Sequence, residues 1–105
     1  MTQPSPGPQA ARDMIPRFNE ITQDLLFGEI WERPGLSKRD RSLITVAALT
    51  ALYRTDQLRG HTRKALENGV TKEELVEVFQ HMAFYAGWPC AVNGFKVADE
   101  VFEEE

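Results

Sequence analysis

The chain has 105 residues, of which 42% are hydrophobic and 27% charged, and its net charge is −4. That length supports one hydrophobic core rather than two, and the apolar share is too high for wholesale disorder. The mean hydropathy is −0.40, and a pI near 5.2 argues against a nucleic-acid binder, which concentrates positive charge. No apolar run approaches the roughly 18 residues of a membrane span, so no membrane partner is expected.

The opening segment holds Pro4, Pro6, Gly7 and Pro8 and lacks both the basic start and the apolar stretch of a secretory signal. Residues 1–10 are therefore expected to form a flexible tail, ahead of one helical domain over 11–105. From Ala11 the pattern is helical almost throughout. Ile15, Phe18, Ile21, Leu25 and Leu26 follow one helix face, Gly28 weakens the pattern, and Arg33-Pro34-Gly35 ends it in a turn. Ser37 reads as the N-cap of a second helix, Lys38 to Tyr53, with Asp40 able to reach back. This helix is apolar on nearly every side and is expected to be the central, buried one.

Thr55 reads as the cap of a third helix running to Asn68, with Gly69 as its left-handed stop. Thr71-Lys72-Glu73-Glu74 spells a capping box that opens a fourth helix to about Ala86. Gly87 breaks that helix, and Pro89 suits the first position of a last one, whose inner stripe is Phe95, Ala98, Val101 and Phe102. No alternating strand pattern occurs. The fold class is all-α, a single helical domain of five to six helices with short connections. In the fourth helix, Leu75, Val78, Phe79, Met82 and Ala86 share one face. Glu77, His81, Phe84 and Trp88 fall together on the other. Large aromatics on both sides imply two burial partners, the second being another subunit.

The residue chemistry is sparse. His61 shares the inward stripe of Leu58 and Ala65. It reads either as a satisfied core histidine or as a general acid or base. Glu77 lies one turn before His81, and Tyr85 one turn after it. The first pair is either a surface ion pair or a carboxylate orienting an imidazole. Neither histidine has metal-ligand spacing, so no metal is expected. Cys90, the single cysteine, excludes an internal disulfide and fits a reducing cytoplasm. In the first turn of the last helix it is either a small core hydrophobe or a reactive thiol. Among the arginines, Arg33 and Arg41 flank a turn and open the apolar helix, where a guanidinium fork suits a carboxylate substrate. GxGxxG, P-loop and GxSxG motifs are all missing, which leaves nucleotide binding and serine hydrolysis unsupported.

Three stretches together resemble the carboxymuconolactone decarboxylase-like family. They are Gly28-Glu29-Ile30-Trp31-Glu32-Arg33-Pro34-Gly35-Leu36 with Arg41-Ser42-Leu43-Ile44-Thr45, then Leu58-Arg59-Gly60-His61 through Ala65-Leu66-Glu67-Asn68-Gly69-Val70, then Glu77 and Tyr85-Ala86-Gly87-Trp88-Pro89 with Ala91. The resemblance implies an alkylhydroperoxidase D-like all-α fold built as a homo-oligomer, a trimer or hexamer. It also implies one of two chemistries. The peroxidase branch uses a CxxCxxxH motif, but with its histidine on His61 the cysteine positions fall on Arg54 and Gln57. Peroxide chemistry would then have to use Cys90. The decarboxylase branch carries G-x-P-A-A-N where this chain has Gly87-Trp88-Pro89-Cys90-Ala91-Val92, with Asn93 one residue later. That branch implies a small carboxylate or lactone substrate, aromatic catabolism and no cofactor. Arg33, Arg41, Tyr85 and Trp88 would bind the substrate, His61 would donate the proton, and Glu77 with His81 would form a second acid–base pair. The remaining expectation is a non-enzymatic oligomer that binds a small acid on the same scaffold.

Overall fold

In the computed structural model residues 15–104 are described, and every regular element among them is helical. The tail expected over 1–10 lies outside the described residues. Helix α1, Pro16–Ile21, runs on as a π-helical segment, Thr22–Ile30, and is followed by α2, Lys38–Ala51, α3, Thr55–Glu67, α4, Lys72–Tyr85, and α5, Trp88–Glu103. Contacts group the chain into two compact units that divide after Lys38.

In the N-terminal unit the α-helical ladder widens after Ile21 to i→i+5 bonding. It closes with Trp31 N–H donating to Leu26 O at 2.9 Å. The helix passes through Gly28 and stops at Ile30, ahead of the Arg33-Pro34-Gly35 turn. Trp31 is buried and its ring lies 6.0 Å from that of Phe27. The stripe Ile15, Phe18, Ile21, Leu25 and Leu26 remains exposed.

In the second unit the core consists of Val46, Leu58, Ala65, Val70, Leu75, Phe79, Val97, Ala98 and Val101. The central helix is α5, packed against α4 and α3. It buries Cys90, Ala91, Gly94, Val97, Ala98 and Val101. This corrects the expectation for α2, which buries only Ser42, Val46 and Thr50 and leaves Ile44 56% exposed. Apolar composition told how much surface α2 offers, and the packing of the chain decided how little of it is covered. Two of its three buried residues are polar. Ser42 Oγ accepts from Asn68 Nδ2 at 3.0 Å, and Thr50 Oγ1 donates to Val46 O at 2.7 Å.

The helix ends follow from local chemistry. The capping box forms as spelled, with Glu74 N–H donating to Thr71 Oγ1 at 3.0 Å and Thr71 N–H to Glu74 Oε1 at 2.9 Å. Helix α3 ends in a Schellman turn, in which Val70 N–H bonds Ala65 O and Gly69 N–H bonds Leu66 O, with Gly69 at φ 97°. Helix α2 ends in the same turn, through Arg54 N–H to Leu49 O and Tyr53 N–H to Thr50 O. Here the left-handed position, φ 60°, holds Tyr53. A side chain there costs about 1–2 kcal/mol that glycine would not. Arg54 closes one helix and opens the next, since its carbonyl accepts from Leu58 N–H. The N-cap of α3 is therefore Arg54 with no side-chain cap, and Thr55 is the first helical residue rather than the cap. Helix α4 ends at Tyr85, so Trp88 does not extend its outer face; it begins α5, with Pro89 second.

At Gly94 the backbone of α5 lies directly against the Phe79 ring of α4. A Cβ built there would stand 2.7 Å from Phe79 Cδ1. Phe79 is fully buried and stacks edge-on against Phe95 at 6.0 Å. Gly94→Ala gains helix propensity but must displace a ring that has nowhere to go. We expect it to destabilise the protein by about 1–3 kcal/mol, measured as the shift in urea midpoint at constant m-value.

Candidate functional site

Helix α3 carries His61 at the margin of its buried stripe, Leu58, Thr62 and Ala65. The imidazole is half-buried, its Nδ1 is shielded from solvent, and its pKa is lowered from 6.5 by burial first and by the Lys64 charge second. Thr62, next in sequence, is fully buried, and its hydroxyl has no hydrogen-bond partner among the described residues. On the outer side of the helix, Arg59 Nε donates to Glu100 Oε1 at 2.5 Å. Arg63 grips both Glu104 oxygens at 2.7 and 2.8 Å. These pairs tie α3 to α5, and the guanidinium hydrogen bonds hold both carboxyls below their usual range. Arg39 likewise pairs with Glu74, linking α2 to the capping box.

The other candidates lie on different elements. Arg33 is exposed in the N-terminal unit, whereas Arg41 is half-buried on α2 with its Nε shielded from solvent. Glu77 and His81 are both exposed on α4 and make no hydrogen bond to each other. His81 instead stacks on Tyr85, with ring centroids 4.7 Å apart and an interplanar angle of 26°. Tyr85 is 78% exposed, Phe84 74% and Trp88 66%, and the last two meet edge to face at 6.1 Å. The two-faced character read for α4 is thus present, with Leu75 and Phe79 buried on one side and aromatics open on the other. Cys90 is fully buried, and its Sγ donates to Gly87 O at 2.9 Å. A thiol buried in this way is shielded from solvent. No cluster of three or more metal-ligating side chains occurs among the described residues. None of the described helices is long and apolar enough to cross a membrane.

Two features escaped the sequence. Tyr53 reaches the Gly87 turn: its hydroxyl lies 3.9 Å from where a Gly87 Cβ would stand, and Gly87 itself has φ 115°. Its place two residues beyond a helix, where Gly69 stands after the next, was the available signal, and tyrosine is not a residue that flags a left-handed turn. The buried Thr62 hydroxyl gave no signal, because its stripe position reads the same whether or not it finds a partner.

A model of the carboxymuconolactone decarboxylase family matches residues 16–100, all but the two ends of the chain. The chain belongs to that family. It is 45% identical over 91 residues to 4-carboxymuconolactone decarboxylase of Acinetobacter baylyi, covering 83% of this chain and 68% of the relative. It is 33% identical over 85 residues to a nitrosuccinic acid decarboxylase of Metarhizium robertsii, covering 81% of this chain and 59% of that relative's length. An uncharacterised 15.0 kDa protein of Paracoccus denitrificans is 30% identical over 99 residues, 92% of this chain and 74% of the relative. Among family members, then, the name decarboxylase recurs with different acids.

The lowered His61 pKa has a consequence for stability. Between the native value and 6.5 the unfolded chain holds a proton that the native one does not. This contribution is complete above 6.5 and is lost as pH falls below it toward the native value. Urea midpoints followed downward from neutral pH should therefore decline in the wild type before the carboxylates titrate. In His61→Gln that component should be missing.

Proposed function

We propose that this chain, with residues 11–105 as its working domain, catalyses decarboxylation of a small carboxylated lactone or related acid as a cytoplasmic homo-oligomer, trimeric or hexameric. The observation that carries the reading is His61. It is a half-buried imidazole with a depressed pKa, on the helix that the family match spans. The two relatives named as decarboxylases support the reaction type, and their different acids leave substrate choice to the pocket.

The chemistry asks little of the protein. The bond to the departing carboxylate breaks, CO2 leaves, and its electron pair stays on the ring carbon and spreads into the lactone carbonyl. One proton is then delivered to carbon, so each turnover takes up one proton. Delocalisation within the substrate itself removes the need for a cofactor. Arg41 is assigned the carboxylate and oxyanion contacts, since fixed cationic donors act where charge develops. His61 is assigned the proton: an imidazolium of lowered pKa gives up its proton more readily than an ordinary one. Glu77 and His81 are assigned as the alternative acid–base pair, and Tyr85 and Trp88 are assigned the substrate's apolar contacts. The buried Cys90 gives the thiol peroxidase reading no support.

Release of CO2 from 4-carboxymuconolactone tests the proposal directly. His61→Ala should leave the melting temperature within a few degrees of wild type while turnover falls by roughly 10² to 10⁴. The wild-type rate should decline as pH rises through the histidine pKa, and that limb should vanish in the variant. A variant that is destabilised but fully active per folded molecule ends the assignment.

Assembly is tested separately. Light scattering should report a particle several times the 11.9 kDa monomer. Phe84→Glu should dissociate it, because a charge would be forced into an apolar contact.

A further inference from the structure

We propose that Tyr53 sets substrate specificity in this decarboxylase site, its phenol hydrogen-bonding the carboxylate that the acid retains after CO2 is lost; the inference rests on the decarboxylase reading above. Helices α2 and α3 end in the same pair of backbone hydrogen bonds, yet the left-handed position holds glycine after α3 and tyrosine after α2. The turn needs no side chain, so the tyrosine is carried against the backbone's own preference. Its ring does not serve the core: Tyr53 is 48% exposed, and its hydroxyl makes no hydrogen bond to any described residue. That hydroxyl lies beside Gly87, 3.9 Å from where a Cβ of residue 87 would stand.

The Gly87 turn is where a ligand group could meet it. Position 87 bears no side chain, and a Cβ there would stand 3.9 Å from the phenol oxygen and partly cover it. Tyr85 precedes the turn and Trp88 follows it, both open to solvent, and they offer flat apolar walls for a small ring. A phenol O–H donates well to a carboxylate oxygen. A site built around such a bond discriminates against an analogue without the group far better than an apolar wall can.

The test uses Tyr53→Phe and Tyr53→Gly with 4-carboxymuconolactone and an analogue in which the retained carboxylate is replaced by a methyl group. In Tyr53→Phe the KM for the full substrate should rise about tenfold, as expected for loss of one charge-assisted hydrogen bond. The loss should fall on KM rather than kcat, and the analogue's KM should not move. Tyr53→Gly should show the same KM loss while its melting temperature rises, since glycine relieves the left-handed turn. An unchanged KM in Tyr53→Phe, or an equal change for both substrates, overturns the inference while leaving the decarboxylase reading standing. If the wild type releases no CO2 from either compound, the decarboxylase reading fails. Calorimetric titration with the full diacid then decides on Tyr53: a Kd weakened about tenfold in Tyr53→Phe upholds its contact, whereas equal affinity, or no binding by the wild type, overturns it.

Discussion

Helices α4 and α5 approach as closely as they do because residue 94 has no side chain, and the Phe79 ring occupies the space one would need. A glycine inside a helix costs about 1 kcal/mol in propensity. The cost is offset by burying a whole aromatic ring against the partner helix and placing it edge-on to Phe95. The contact sets the level of α5 against α4, and Leu75, Val97 and Val101 fill the core around it. At one end of α5 it thereby fixes the Gly87-Trp88-Pro89 turn. At the other it fixes Glu100 and Glu104, which dock Arg59 and Arg63 of the helix that bears His61.

Electrostatics refine this arrangement more than they create it. Ion pairs as exposed as those of Arg59 and Arg63 contribute little each to stability. Their value is directional, because two rungs fix how α3 lies along α5 and which way its stripe faces. The imidazole of His61 then sits at the margin of that stripe, where desolvation outweighs the Lys64 charge as the cause of its low pKa.

The apolar surface of the molecule exceeds what the described chain covers. Phe84 and Trp88 form an edge-to-face pair in the open, and α2 exposes Ile44 on the side away from Val46. Contiguous apolar faces of this kind mark interaction surfaces in soluble proteins. This is the physical ground for the oligomer in the proposed function.

Local chemistry made much of the protein legible without coordinates. The Thr71–Glu74 capping box, the stop at Gly69, the break at Gly87 and the inner stripe of α5 each depend on residues within one or two turns of one another, so sequence spacing alone determined them. Family membership was readable for a similar reason, since the motifs around Arg33, His61 and Gly87 are contiguous strings. What only the tertiary structure decided involves partners distant in sequence. The central helix is α5 rather than α2, whose unbroken apolar run stays partly exposed, because burial depends on what packs against a face and not only on how apolar the face is. Arg59 and Arg63 meet carboxylates 41 residues away. His81 turns to Tyr85 rather than Glu77, since both partners lie one turn away and only side-chain conformation chooses between them. Tyr53 reaches Gly87 from the far end of α2, held by a left-handed turn that nothing in a tyrosine announces.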